Sequence, residues 1–303
     1  MANLQTNRSI QGRLILKALS VILMTMAILK PLSFASAASL KNGKYIFQLA
    51  GCGHCHTDPG KKGKDARSKG EPLAGGRPLE TPFGTFYTPN ITTDKKFGIG
   101  AWDFEDFRRS MVEGKAPNTA PYYPAFPFTS YTGMSENNLR DLWAYLTVQP
   151  SHARKNVRHE LQFPFNMRGL MHVWRALFFD EGSTGHSDDT QSAKWNRGAY
   201  LIRVLAHCGE CHTRRNAMGA MDWNHELAGN PTGPGGKIPD LTARNLNGIV
   251  NWSEDDIVEY LSSGMTPEGD FAGGEMAEVI DKSTATMSAA DLKAVAVFLK
   301  SLD

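Results

Sequence analysis

The sequence predicts an all-α fold made of two tandem domains, and three observations carry that reading. A Cys-x-x-Cys-His motif occurs twice, at 52–56 and 208–212, and uses all 4 cysteines of the 303-residue chain. An ungapped offset of 150 residues lays Pro89-Asn90-Ile91-Thr92 over Pro239-Asp240-Leu241-Thr242, and Gly98, Ile99 and Trp102 over Gly248, Ile249 and Trp252. It also matches Gly114 and Pro117 to Gly264 and Pro267. Strand signals are weak, whereas apolar residues recur at helical spacing near the end of each copy.

The chain opens on Arg8, Arg13 and Lys17, followed by the 12-residue apolar run ALSVILMTMAIL and the small residues Ala35-Ser36-Ala37. That is the pattern of a signal peptide over 1–37, cleaved after Ala37. The run is short of the ~20 residues that cross a bilayer, so export to the periplasm with cleavage is expected rather than an anchor. Removing four basic residues (Arg8, Arg13, Lys17, Lys30) and no acidic ones takes the formal charge from +2 to −2. No cluster of Lys and Arg interleaved with aromatics remains, which argues against a nucleic-acid partner. Hydrophobic and charged fractions of 41% and 21% exclude disorder and coiled coil as readings of the whole.

Domain 1 is expected over 38–150, a connector helix and linker over 151–190, and domain 2 over 191–303. Each copy begins with a helix, since Gly43-Lys44-Tyr45-Ile46 matches Gly198-Ala199-Tyr200-Leu201 with one residue of slippage relative to the cysteine motifs. After a long loop, a middle helix starts behind Trp102 or Trp252, with Asp103 and Ser253 as caps. A final helix follows where MSENNLRDLWAYL (134–146) lies over MSAADLKAVAVFL (287–299) at an offset of 153. Leu139, Leu142 and Leu146 then map to Leu292, Val295 and Leu299 on one helix face, with Ser135 and Ser288 as N-caps. Between the copies, Leu170, Met171, Trp174, Leu177 and Phe178 recur at helical spacing. Segment 168–179 therefore reads as a packed connector helix or as a docking surface for a partner or membrane, and 181–190 as a flexible linker.

The cysteine motif admits three chemistries. A dithiol redox centre has no use for a histidine directly after the second sulfur. Zinc sites built from paired Cys-x-x-Cys knuckles usually separate them by about 15 to 20 residues, whereas Cys55 and Cys208 lie 153 positions apart. Covalent haem attachment needs the motif as it stands: two thiols add across the porphyrin vinyl groups and the adjacent imidazole becomes the proximal iron ligand. Cys52, Cys55 and His56, and Cys208, Cys211 and His212, are thus the candidate binding residues for two haem c groups. A porphyrin also supplies the core that the long Gly- and Pro-rich loops otherwise lack.

The sixth iron position differs between copies. Met276, in DFAGGEMAEV, is placed in a Gly-rich loop shortly before the last helix and is the candidate for the second haem. The offset of 150 carries Met276 back onto Phe126, which cannot bind iron. Met134 is the nearest candidate for the first haem, but it matches Met287, and a methionine before a serine cap with leucine five positions later also reads as a hydrophobic staple. An open or weakly ligated iron is the third reading. Met111 corresponds to Leu261 and reads as core. His54 and His207 sit close to the motifs, able to tune a haem but not to reach its far face.

The stretches CGHCHTDPG, LAGGRPLETPFGTFYTPNIT, GIGAW and YYPAFPFTSYTGMSENNLRDLWAYL resemble the multihaem cytochrome c subunits of bacterial periplasmic alcohol, aldehyde and gluconate dehydrogenases, over residues 40–148 and 196–302. The resemblance implies class I cytochrome c domains, covalent haem c, and electron relay from a dehydrogenase partner toward a quinone-linked or oxidase acceptor. It also implies that Met276 lies in the axial-ligand loop. Two features depart from the family. Its subunits usually carry three haems and a C-terminal membrane-binding tail, whereas this chain runs to Asp303 directly after its second repeat, so a soluble dihaem relay is expected. The family's Pro-Ala-Met-Pro is here Pro124-Ala125-Phe126-Pro127. The alternative is a dihaem peroxidase-like or small-molecule oxidoreductase with an open first haem.

Overall fold

The computed structural model describes residues 37–60, 69–233, 235–246 and 248–302; the expected signal peptide lies outside them but for Ala37. Two helix pairings organise it. Helix α1 (Leu40–Leu49), capped by the Ser39 side chain, leads into the short α2 (Cys52–Cys55) that holds the first motif. It packs on α5 (Glu136–Leu146), with α3 (Phe104–Glu113) and α4 (Phe128–Tyr131) between them in the chain. After the connector helix α6 (Leu170–Phe178), helix α7 (Ala193–Tyr200) packs in the same way on α11 (Ala289–Lys300). Helix α8 (Gly209–His212) holds the second motif, and α9 (Glu254–Ser263) and α10 (Gly274–Lys282) complete the set.

Both pairings need a glycine at the crossing. A Cβ on Gly43 would lie 2.0 Å from the Asp141 carbonyl oxygen, and one on Gly198 would lie 2.0 Å from that of Ala294. The expected caps form: Asp103 with Asp106, and Ser253 with Asp256, close capping boxes, while Ser135 and Ser288 accept from the Asn138 and Asp291 amides. The slippage of one residue also has a physical form. Leu201–Leu205 continue α7 as a π-helical turn, which accommodates one extra residue before the second motif without rotating Tyr200 out of register with Tyr45.

The chain is not all-α. Strands β1 (Pro78–Thr81) and β2 (Gly84–Tyr87) form an antiparallel hairpin with Pro78 opposite Tyr87, and β3 (Glu160–Leu161) from the connector adds to β2. Strands β4 (Asn230–Gly233) and β5 (Gly236–Ile238) form a second, two-stranded sheet. Strands this short leave almost no alternation to read, and β3 is recruited from far along the sequence.

One apolar cluster runs through both halves, joining Ile46, Leu49 and Leu142 to Leu201, Leu292 and Phe298. A smaller one gathers Phe86, Tyr123, Phe128, Met171, Trp174 and Ala220, so α6 is a packed connector through Met171 and Trp174. Its other face stays open, with Val173 58% and Leu177 65% exposed. Part of segment 181–190 is docked: Thr184 is buried and donates to the Ser130 carbonyl at 2.8 Å, and the Gly182 amide donates to Thr132 Oγ1 at 2.7 Å, while residues 186–190 are exposed. The described residues from Ala38 onward form one unit by their internal contacts.

The halves grip each other reciprocally. Tyr45 on α1 donates to Asp291 (2.7 Å) and accepts the Ser288 amide (3.1 Å) at the start of α11. Tyr200 on α7 accepts the Ser135 amide (3.1 Å) and Asn138 Nδ2 (2.9 Å) at the start of α5.

Candidate haem centre

Each motif histidine is fixed by a carbonyl. His56 Nδ1 lies 2.8 Å from the Pro89 oxygen, and His212 Nδ1 lies 2.9 Å from that of Pro239. A carbonyl can only accept, so Nδ1 carries the proton and the lone pair is on Nε2, the tautomer a metal-binding imidazole requires. Burial lowers the pKa of both rings, keeping them neutral and available as ligands.

The loop after each histidine is tied down identically. Gly75 donates to the His56 carbonyl (2.8 Å) and Gly229 to that of His212 (2.7 Å). Leu73 and Leu227 adopt left-handed backbone angles (φ 61° and 58°). Each donates to the threonine after the histidine, Thr57 at 3.1 Å and Thr213 at 3.0 Å. Each also accepts an amide, from Ile91 and Leu241, at 2.9 Å. A leucine at positive φ is strained and persists only where its surroundings over-determine it. Sequence reasoning finds the Pro-Asn-Ile-Thr and Pro-Asp-Leu-Thr match but not its purpose, which is to present the two proline carbonyls. It misses both leucines, although Leu73-Ala74-Gly75 and Leu227-Ala228-Gly229 carry the signal.

The four thiols are free of disulfides. Burial pushes Cys52 and Cys208 up to about 12, and Cys55 and Cys211 up to about 11. A dithiol redox centre needs the opposite shift. Among the described residues no three His, Cys, Asp or Glu side chains gather as a metal cluster. Cys52 and Cys208 instead border the large apolar cluster. Neutral sulfurs at an apolar edge, each pair beside an imidazole with a free Nε2, fit covalent attachment of an iron porphyrin.

The candidate axial residues differ in setting. Met276 lies in the first turn of α10, not in a loop, because Gly273 serves as N-cap and the helix starts at Gly274. It is partly buried against the large cluster. Met134 is 5% exposed at the residue before the Ser135 cap, with Leu139 (1%) at the staple position, and Met287 and Leu292 repeat this before α11. Met111 and Leu261 are both core, as expected.

The two motifs meet. The Ala50 carbonyl, two residues before Cys52, accepts from Tyr131 Oη at 3.2 Å and from His207 Nε2, one residue before Cys208, at 3.3 Å. Thr129 and Ser130 of α4 donate to Glu210, inside the second motif, at 3.1 and 3.0 Å. Conversely, Arg77 donates to the His54 carbonyl of the first motif at 3.3 Å and clamps Glu278 of α10. His54 Nδ1 is buried without a hydrogen-bond partner among the described residues.

These features define a haem-attaching protein of the c type. The chain belongs to the cytochrome c family, whose model matches residues 40–148. It is 41% identical over 259 residues to a dihaem c-type cytochrome of Cereibacter sphaeroides, spanning 85% of this chain and 84% of that one. It is 36% identical to the fructose dehydrogenase cytochrome subunit of Gluconobacter japonicus and 35% to the cytochrome c subunit of the quinone-dependent alcohol dehydrogenase of Gluconobacter oxydans, each over 88% of this chain. Its match spans 53% and 55% of those two proteins, about half the length of each.

Proposed function

We propose that the protein is an exported dihaem cytochrome c that passes electrons between its two haems, from a dehydrogenase partner toward a quinone-linked or oxidase acceptor. The relatives named as dehydrogenase subunits support the donor class. The observation that carries the relay is the bond from His207 to the Ala50 carbonyl. It joins the two motifs by one hydrogen bond, so haems on them would exchange electrons along a continuous bonded path while the chain supplies ligation, burial and docking.

The donor would dock on the open face of α6. Leu170, Val173 and Leu177 form an exposed apolar stripe there, continued by Met167 and Phe163. Segment 151–178 holds five basic residues (Arg154, Lys155, Arg158, Arg168, Arg175) against one acidic residue (Glu160). Apolar anchors with an arginine-rich rim are the composition of a protein interface. No helix among the described residues is long and apolar enough to cross a membrane.

The test is purification of the full chain from its native periplasm together with the dehydrogenase that accompanies it. Addition of that dehydrogenase's substrate should reduce both haems, and Leu177→Glu should slow the reduction. Haems that stay oxidised in the presence of dehydrogenase and substrate would contradict the relay.

A further inference from the structure

A tight hairpin follows the middle helix of each half, and the two turns are built alike. In the first, Lys115 bridges Pro121, the Ala116 amide donates to the Ala120 carbonyl (2.9 Å) and the Thr119 amide to that of Ala116 (2.7 Å). In the second, Met265 bridges Phe271, the Thr266 amide donates to the Asp270 carbonyl (2.8 Å) and the Gly269 amide to that of Thr266 (2.9 Å). Their surroundings differ. Both flanks of the first hairpin lie against the connector: Arg175 donates to the Glu113 carbonyl, Arg168 stands 5.1 Å over the Tyr123 ring, and Met171 and Trp174 share an apolar cluster with Tyr123 and Phe128. Pro121, Tyr123 and Phe128 are buried there, whereas Phe271 and Gly273, at the positions of the first two, are exposed. Phe271 is 70% exposed and Met265, across the bridge from it, 39%. The charge differs as well. Segment 104–131 balances three acidic residues with three basic ones, while the equivalent 254–281 holds nine acidic residues and no basic one. Arg77 pairs with Glu278 and Lys282 with Asp281, but Glu254, Asp255, Glu268 and Asp270 make no ion pair among the described residues.

We infer that the Met265–Phe271 hairpin is a docking surface for a protein that presents an apolar patch ringed by lysine and arginine; resting on the relay reading above, that protein is the electron acceptor. The first half shows what fits such a hairpin, since its own flanks are covered by a segment combining Met171 and Trp174 with Arg168 and Arg175. Exposed apolar side chains inside a charged rim mark an interaction site. An acidic face steers a basic partner toward it and repels an anionic lipid surface. The connector face offered to the donor is basic, so the two surfaces select partners of opposite charge.

The experiment uses the holoprotein and, as probe, a monohaem cytochrome c with lysines around its exposed haem edge; calorimetry measures binding and stopped-flow absorbance measures electron exchange. Binding should weaken about tenfold between about 20 mM and about 300 mM salt. The double variant Glu268→Lys, Asp270→Lys and, separately, Phe271→Ser should each weaken it about tenfold at the lower salt, and Leu177→Glu on the donor face should leave it unchanged. A probe that does not bind at low salt, or that binds equally well to both hairpin variants, overturns the docking surface and leaves the relay intact. A probe that binds through the hairpin and takes no electron keeps the surface and overturns the relay. Self-association lost in both Leu177→Glu and Phe271→Ser would assign the hairpin to a second copy of this chain, and binding to anionic lipid vesicles lost in Phe271→Ser would assign it to a membrane; either result overturns the inference.

Discussion

Arg77 and Glu278 form a two-pronged ion pair, both nitrogen–oxygen distances 2.8 Å, that joins the first attachment motif to the helix carrying Met276. Arg77 is 15% exposed and also holds the His54 carbonyl, so one guanidinium links the first attachment motif to the helix that carries the candidate Met276. Arg77→Gln should cost about 1 kcal/mol, since it removes charge-assisted bonds but leaves a carboxylate, 34% exposed, that can turn to water. Urea unfolding checks this; a loss below about 0.5 kcal/mol would place the pair among ordinary surface contacts.

Acid should weaken the grip between the halves. The Arg77 bond holds the Glu278 carboxyl below its ordinary pKa. For Asp291, burial pushes the carboxyl up, but bonds from Arg197 and Tyr45 outweigh it and leave it lowered. A depressed folded-state pKa contributes stability that is present above the unfolded value and lost as pH falls through the folded one. Unfolding free energy should therefore hold steady down to about pH 5 and fall below about pH 4. The double variant Glu278→Gln, Asp291→Asn should be less stable at neutral pH and show a flatter decline. An equally steep decline in that variant would assign the acid sensitivity elsewhere.

Gly43→Ala and Gly198→Ala should each destabilise by about 1–3 kcal/mol, because the added methyl meets a backbone carbonyl that cannot rotate away. Thermal melts of both variants test the equivalence of the two helix crossings. A tolerated alanine at one of them would show that its crossing can widen.

Met134→Leu should cost less than about 1.5 kcal/mol, as a volume-conserving core swap, and leave both haem spectra unchanged. Met134→Ala should cost about 2–5 kcal/mol through the cavity it opens. A changed spectrum for the first haem in Met134→Leu would make Met134 a ligand.

The legible parts of this chain are those whose cause is local. Asp103, Ser253, Ser135 and Ser288 cap the helices the pattern places after them, because a short polar side chain before an amphipathic run has one favourable use. The slippage of one residue is visible in the sequence, yet only the backbone shows that a π-helical turn accommodates it. What sequence reasoning misses depends on distant partners. The strand β3 is set by pairing with Thr85, Gly182 and Thr184 by the Thr132 and Ser130 groups they bond, and Arg77 by a glutamate in the other half. The glycines before Met276 suggest a loop, whereas here they start a helix.

Intact-protein mass spectrometry of the chain, purified from cells competent to attach haem c, tests the central claim most directly. Thioether bonds survive denaturation, so the account predicts a polypeptide heavier by two haems, falling to one when Cys208 and Cys211 are both replaced by alanine. A bare polypeptide, or one carrying a single haem in the wild type, would contradict it.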